Sequence, residues 1–226
     1  MKTIGIIGAM PSELADLRAV LPCAKQETHA GYKFYSCEYK GKRIVNVCCG
    51  VAKVNAALCA QVLIDRMGAE VILNAGIAGG MNHCVHVCDI VIANEVMSHD
   101  VNPEFLVKYP PHCAVYPCDQ ALQERTAQIC DQLGIRHHKG RIVSGEAFIS
   151  SNEIKADICA RMSPLAVDME SSAVGQCAYR NQVPFLSIRC ISDNADDAGD
   201  MTSDEFEKVA AKQVADVVLA LVEESF

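Results

Sequence analysis

The chain has 226 residues, half of them apolar, with 28 acids against 20 lysines and arginines, a formal net charge of −8 and no tryptophan. That length can bury a sizeable core, and one α/β domain spanning residues 1–226 is the organisation it favours. An acidic balance without any basic block argues against nucleic-acid or anionic-membrane surfaces, so the substrate should be small and not strongly anionic.

The first apolar stretch, Ile4-Gly5-Ile6-Ile7-Gly8, is far too short for a membrane span, and no small-residue cleavage site follows it. It reads as a buried first strand. Thirteen cysteines would suggest a disulfide framework in a secreted protein, but the number is odd and no export signal accompanies it. Reduced thiols in a cytoplasmic protein are the expectation.

The first strand runs into Gly8-Ala9-Met10, after which Pro11-Ser12-Glu13 opens a segment with Leu14, Leu17 and Leu21 at helical spacing. Residues 32–39 and 43–48 flank Lys40-Gly41-Lys42 and read as a hairpin. Residues 53–67 favour a helix ended by Gly68, followed by a buried strand at 71–73 and a glycine-rich turn, Asn74-Ala75-Gly76-Ile77-Ala78-Gly79-Gly80. His83-Cys84-Val85-His86-Val87-Cys88 holds zinc-type ligands, but neither a C-x2-C pair nor a second ligand cluster accompanies it, so no metal is expected.

Residues 89–96 form a further apolar strand. The stretch 99–117, with Pro103, Pro110, Pro111 and Pro117, reads as a long irregular loop of the kind that serves function or an interface. A helix at 121–133 ends at Gly134, and a strand at 141–143 leads into Ser144-Gly145-Glu146-Ala147-Phe148-Ile149. Then follow a helix at 152–162, a short strand at 165–167, a helix at 171–179 entered through Asp168-Met169-Glu170, and a strand at 185–191. Ser203-Asp204-Glu205 carries N-cap chemistry for a closing helix with Val209, Val214, Val217, Leu221 and Val222 on its apolar side.

Strands alternating with helices predict a three-layer α/β/α domain around a mixed, largely parallel sheet. Ligands in such folds sit beyond the carboxyl ends of strands. Four segments occupy such ends: Gly8-Ala9-Met10, residues 76–80, residues 144–149, and Ser192-Asp193.

Three carboxylates at or beside these ends, Glu13, Glu170 and Asp193, are candidates for chemistry, although each has a plain structural explanation as a helix-start or ion-pair acid. Asp168 and Glu170, two residues apart, would face one side of an extended chain, yet acids are also common at helix starts. Arg189, inside the apolar run 185–191, needs a partner, which a structural acid could supply as well as a site carboxylate. Glu13 could be an ordinary first-turn glutamate.

Taken together, Gly5-Ile6-Ile7-Gly8-Ala9-Met10-x-x-Glu13, Gly76-x-Ala78-Gly79-Gly80, Ser144-Gly145-x-Ala147-Phe148-Ile149, Val167-Asp168-Met169-Glu170 and Arg189-x-Ile191-Ser192-Asp193 resemble the bacterial 5′-methylthioadenosine/S-adenosylhomocysteine nucleosidases of the purine nucleoside phosphorylase superfamily. The resemblance covers nearly the whole chain in order and implies a nucleoside phosphorylase-like fold. It implies Asp193 as the acid that protonates adenine N7, with Ser192 helping to hold it, and Glu13 as the residue that positions and activates water. Glu170 is implied to bind the ribose hydroxyls, Met169 to pack on the sugar, Phe148 to stack on adenine, the Ile149 backbone to read the base edge, and Arg189 to lie near ribose and water. Ala9, Val51, Ile77, Ala78, Gly79, Asp168 and Ala195 are further implied substrate contacts. The partners implied are an adenine nucleoside and water, with a homodimer as the assembly and no cofactor.

Hydrolysis through a ribosyl cation-like transition state needs an acid at the leaving group and a base at water on the opposite face. An ordinary aspartic acid, of pKa about 3.9, is ionised at neutral pH, so Asp193 must gain its proton's stability from burial or from the base itself. The rivals are a phosphorylase, disfavoured because Pro11-Ser12-Glu13 offers a carboxylate and no arginine, and a non-catalytic nucleoside-binding module, which would not need all three acids. Two departures bear on the substrate: Ile77 stands where these nucleosidases often carry Ser, and Ser203 where an aromatic residue often lines the 5′ pocket. They leave open 5′-deoxyadenosine or an aminodeoxyfutalosine-type nucleoside, and they make Phe105, Leu106 or Tyr109 candidates for the missing apolar wall.

Overall fold

The computed structural model describes residues 1–23, 25–196 and 204–224, without the side chains of 204 and 205. The N-cap and 5′-pocket expectations at Ser203 therefore lie outside the described residues.

The first strand, β1 (Thr3–Gly8), is buried at every position, as a strand covered on both faces must be. It lies parallel to both β4 (Lys42–Cys48) and β5 (Val71–Gly80). Outside β4 come β3 (Tyr32–Tyr39), closing the expected hairpin, and β2 (Lys25–His29), an exposed edge strand whose polar sequence gave no strand signal.

On the other side of β5 the sheet curls. β10 (Phe185–Asp193) runs parallel to β5 and antiparallel to β6 (Ile90–Ser98). β6 is joined to β8 (His137–Ser144), β8 to β9 (Ala166–Asp168), and β9 back to β5. The pairings thus close a ring of five strands, and a two-residue strand, β7 (Tyr116–Pro117), extends β6.

Helices form two layers about this mixed sheet. Along one pack α1 (Ala15–Val20), α4 (Gln120–Leu133) and α7 (Asp204–Glu224); along the other α2 (Lys53–Asp65) lies against α6 (Ser171–Asn181). α5 (Asn152–Met162) begins at Ser151, whose hydroxyl faces the Ile154 N–H, and α4 begins at Asp119, whose Oδ1 accepts from the Leu122 N–H at 2.9 Å. Gly134, at φ +67°, ends α4 with the left-handed residue that such a stop requires.

Two sequence expectations need correction. The glycine-rich stretch 74–80 is no turn but the second half of β5, because its backbone groups pair with β10 and β9. The long loop at 99–117 contains a helix, α3 (Pro103–Lys108), whose N-cap Asn102 side chain accepts from the Glu104 N–H and whose first residue is proline.

Candidate active site

Three chain crossings meet at the carboxyl-end rim of the strand ring. The turn after β1 is a 3₁₀ turn, Ser12–Leu14, which folds Glu13 back over the end of its own strand. Its carboxylate accepts from the N–H groups of Ala9 (2.6 Å) and Met10 (3.0 Å) on one oxygen and of Ile77 (2.9 Å) on the other. Glu13 is buried, so these three donors offset the desolvation of its charge.

Gly76 makes this possible. A methyl there would lie 2.1 Å from Arg189 Nη1 and 2.2 Å from Glu13 Oε1, so only glycine lets the two side chains cross β5 at this point.

Arg189 is completely buried beneath the rim. Its Nη2 sits 2.7 Å from Asp168 Oδ2, 2.8 Å from Asn74 Oδ1 and 3.6 Å from Glu170 Oε2, and its Nη1 lies 3.7 Å from Glu13 Oε1. The guanidinium therefore ties all three acids to one point. Asp168 also receives the hydroxyls of Ser144 and Ser171, and Ser171 meets Ser187 at 2.6 Å. Arg189 and Ala195, expected at the substrate, do not line the cavity: the first lies behind Glu13 and Glu170, and the second is fully buried with its N–H given to Asp193.

Glu170 stands at the N-cap of α6 but does not cap it; its Oε1 accepts from the Ala52 N–H at 3.0 Å. Burial pushes its pKa up to about 7, against the pull of Arg189 and with the help of neighbouring Asp168. Asp193 ends β10, with Ser192 Oγ donating to Oδ2 at 2.8 Å and the Ala195 N–H to Oδ1 at 2.7 Å. Gly79 faces it closely, since a methyl there would come within 3.0 Å of Asp193 Oδ1.

Along β5, Ile77 holds Glu13 while Gly79 faces Asp193. These stations are two residues apart, or roughly 7 Å of strand.

The cavity above them has a volume of about 400 Å³, in the range of small-molecule sites. Ala9, Glu13, Val51, Ile77, Ala78, Gly79, Phe148, Asp168, Met169, Glu170, Ser192 and Asp193 line it as expected residues, and Ile149 lines an adjoining recess with Phe148 and Asp193. Sequence reasoning missed Asn74 and Ser187, whose only sign was polarity inside apolar runs, Ser171 at the start of α6, and Glu207 on α7, which also lines the cavity and carried no sign at all. The His83 to Cys88 run contributes no residue to the cavity wall; there His86 and His138 approach Asp89, a carboxylate also held by Arg136.

Residues 3–223 match the family model described as Phosphorylase superfamily. A Bacillus licheniformis protein named 5′-methylthioadenosine/S-adenosylhomocysteine nucleosidase is 38% identical over 225 residues, 97% of each chain. The chain belongs to that superfamily and, within it, to this nucleosidase family. As a member it is an enzyme of the N-glycosyl hydrolase kind. The nucleosidase from Neisseria meningitidis, solved with methylthio-immucillin-A, is 34% identical and superposes with a TM-score of 0.94 over the full length of both chains. A futalosine hydrolase from Helicobacter pylori is 25% identical, with a TM-score of 0.93 over 99% of this chain and 98% of its own. The fold therefore does not separate those two substrates; the cavity wall must.

Proposed function

We propose that this cavity hydrolyses the N-glycosidic bond of 5′-methylthioadenosine and S-adenosylhomocysteine. The observation that carries the reading is the placement of Glu13 and Asp193 at stations roughly 7 Å apart along β5, on one cavity with Glu170 between strand and helix. Inverting hydrolysis needs its acid and its base held apart, with room for a water between them.

In this reading Asp193 gives its proton to N7, the C1′–N9 bond breaks, and its electron pair leaves with adenine. Glu13 takes a proton from the water whose oxygen bonds to C1′. Glu170 accepts from the ribose hydroxyls, and Phe148 and Ile149 hold the base. The three carboxylates around Arg189 favour the positive charge that develops on the sugar.

Phosphorolysis fits less well, because no lysine, arginine or histidine lines the cavity among the described residues, and the nearby guanidinium is buried and already matched by acids. Release of adenine from 5′-methylthioadenosine at equal rates with and without phosphate is the expected result. Dependence on phosphate would overturn it, as would failure to release adenine from any of a panel comprising methylthioadenosine, S-adenosylhomocysteine, 5′-deoxyadenosine and aminodeoxyfutalosine. Asp193→Asn should lower kcat by roughly 10²–10⁴ with the circular dichroism spectrum kept.

The working unit in this reading is a homodimer. Val54 and Leu58 on α2 are more than half exposed and, with Val101 and with Leu106 on α3, line a groove between α2 and α6; Phe105 and Val107 on α3 are more than half exposed as well. Such a contiguous apolar face is uncommon on a monomer.

A further inference from the structure

The cavity has two ends. One is the recess formed by Ala147, Phe148, Ile149 and Asp193, which takes the base in the function proposed above. The other is bounded by Met10, Val51 and Glu207, none of which touches the recess. Glu207 reaches this end because α7 packs against the 3₁₀ turn that carries Glu13.

We infer that Glu207 selects the 5′ substituent, favouring tails that carry an ammonium group over neutral ones and disfavouring tails that end in a carboxylate. The inference rests on the base-end assignment of the proposed function and extends it to the opposite end. Four further carboxyl groups, those of Glu13, Asp168, Glu170 and Asp193, share the cavity wall; Asp193 carries a proton in the proposed function and Arg189, behind the wall, offsets one charge of the other three, but among the described residues no cationic side chain lines the cavity. The potential inside is therefore negative, and low-dielectric walls focus it towards the opening. Of the five acids, Glu207 alone has no recorded partner among the described residues' hydrogen bonds and ion pairs, and its side chain is exposed to an arriving tail. A tail with an amino group gains a charge-assisted contact there, whereas a carboxylate meets repulsion.

Steady-state kinetics on 5′-propylthio-, 5′-(ω-aminopropylthio)- and 5′-(ω-carboxypropylthio)-5′-deoxyadenosine tests this in the unaltered protein and in Glu207→Gln and Glu207→Lys. KM should rise from amine to propyl to carboxylate in the unaltered protein. Glu207→Gln should compress the amine-to-carboxylate ratio of KM by roughly two- to fivefold, the scale of an exposed ion pair, and Glu207→Lys should invert it. High salt should weaken the preference in the unaltered protein. An amine-to-carboxylate ratio that both substitutions leave in place overturns the role of Glu207 while adenine release continues. Failure of all three compounds to release adenine from the unaltered protein overturns the site reading and this inference together.

Discussion

Glu13 and Arg189 cross at a point where no side chain larger than hydrogen fits, and this crowding makes Gly76 a requirement of the site's geometry. Gly76→Ala should displace the Glu13 carboxylate from the Ile77 N–H. A shift of about 1 Å at a catalytic group costs roughly 100-fold in rate, measurable as kcat for methylthioadenosine. Glu170 offers a second test. Its pKa is raised to about 7 from a reference of 4.5, first by burial, so it ionises as pH rises through neutrality and, in the proposed function, then becomes a full acceptor for the ribose hydroxyls. The acid limb of kcat/KM should therefore fall off below about 7 and disappear in Glu170→Gln.

The same group has the opposite effect on stability. A carboxyl whose folded pKa exceeds its unfolded one stabilises the fold fully below pH 4.5, and this contribution is lost as pH rises through about 7. Glu170→Gln should raise Tm relative to the unaltered protein, with the gap widening from pH 5 to pH 8. A gap that narrows over that range would contradict burial as the dominant cause.

Among the elements, helix boundaries followed capping chemistry that is local in the chain. Asp119 and Gly134 bracket α4 as N-cap and left-handed stop, so Asp119→Ala should cost about 1 kcal/mol of stability. The urea midpoint should fall while kcat/KM is kept, since α4 contributes nothing to the cavity wall. The glycine-rich stretch 74–80 misled the local reading because glycine permits a turn but does not require one. Neighbouring β10 and β9 supply hydrogen-bond partners for its backbone, and an extended strand satisfies them. β2 was invisible for a related reason: an edge strand exposed to water needs no apolar alternation, and it forms because β3 offers a free edge.

For the whole molecule, the apolar face around α2 and α3 makes a prediction about mass. Light scattering should give about twice the 24.4 kDa of one chain, and Leu58→Glu, which places a charge on that face, should shift the population towards monomer. A monomer in the unaltered protein at micromolar concentration would count against the dimer. No helix among the described residues is long and apolar enough to cross a membrane.

What depends on near neighbours and on pattern was legible in the chain before folding: the α/β alternation, the buried first strand, most helix ends, and the motif residues Glu13, Phe148, Met169, Glu170, Ser192 and Asp193 that line one cavity. Tertiary structure alone decided what depends on contacts between distant segments. The tertiary fold brings Arg189 beneath three acids from two other segments, Glu13 after β1 and Asp168 and Glu170 at and after the end of β9, and turns Asp168 into its partner. The packing of α7 on the turn after β1 carries Glu207 to the cavity. An exposed helical glutamate has the same local character wherever it lies, and only the three-dimensional path of the chain determines which ligand atoms it can meet.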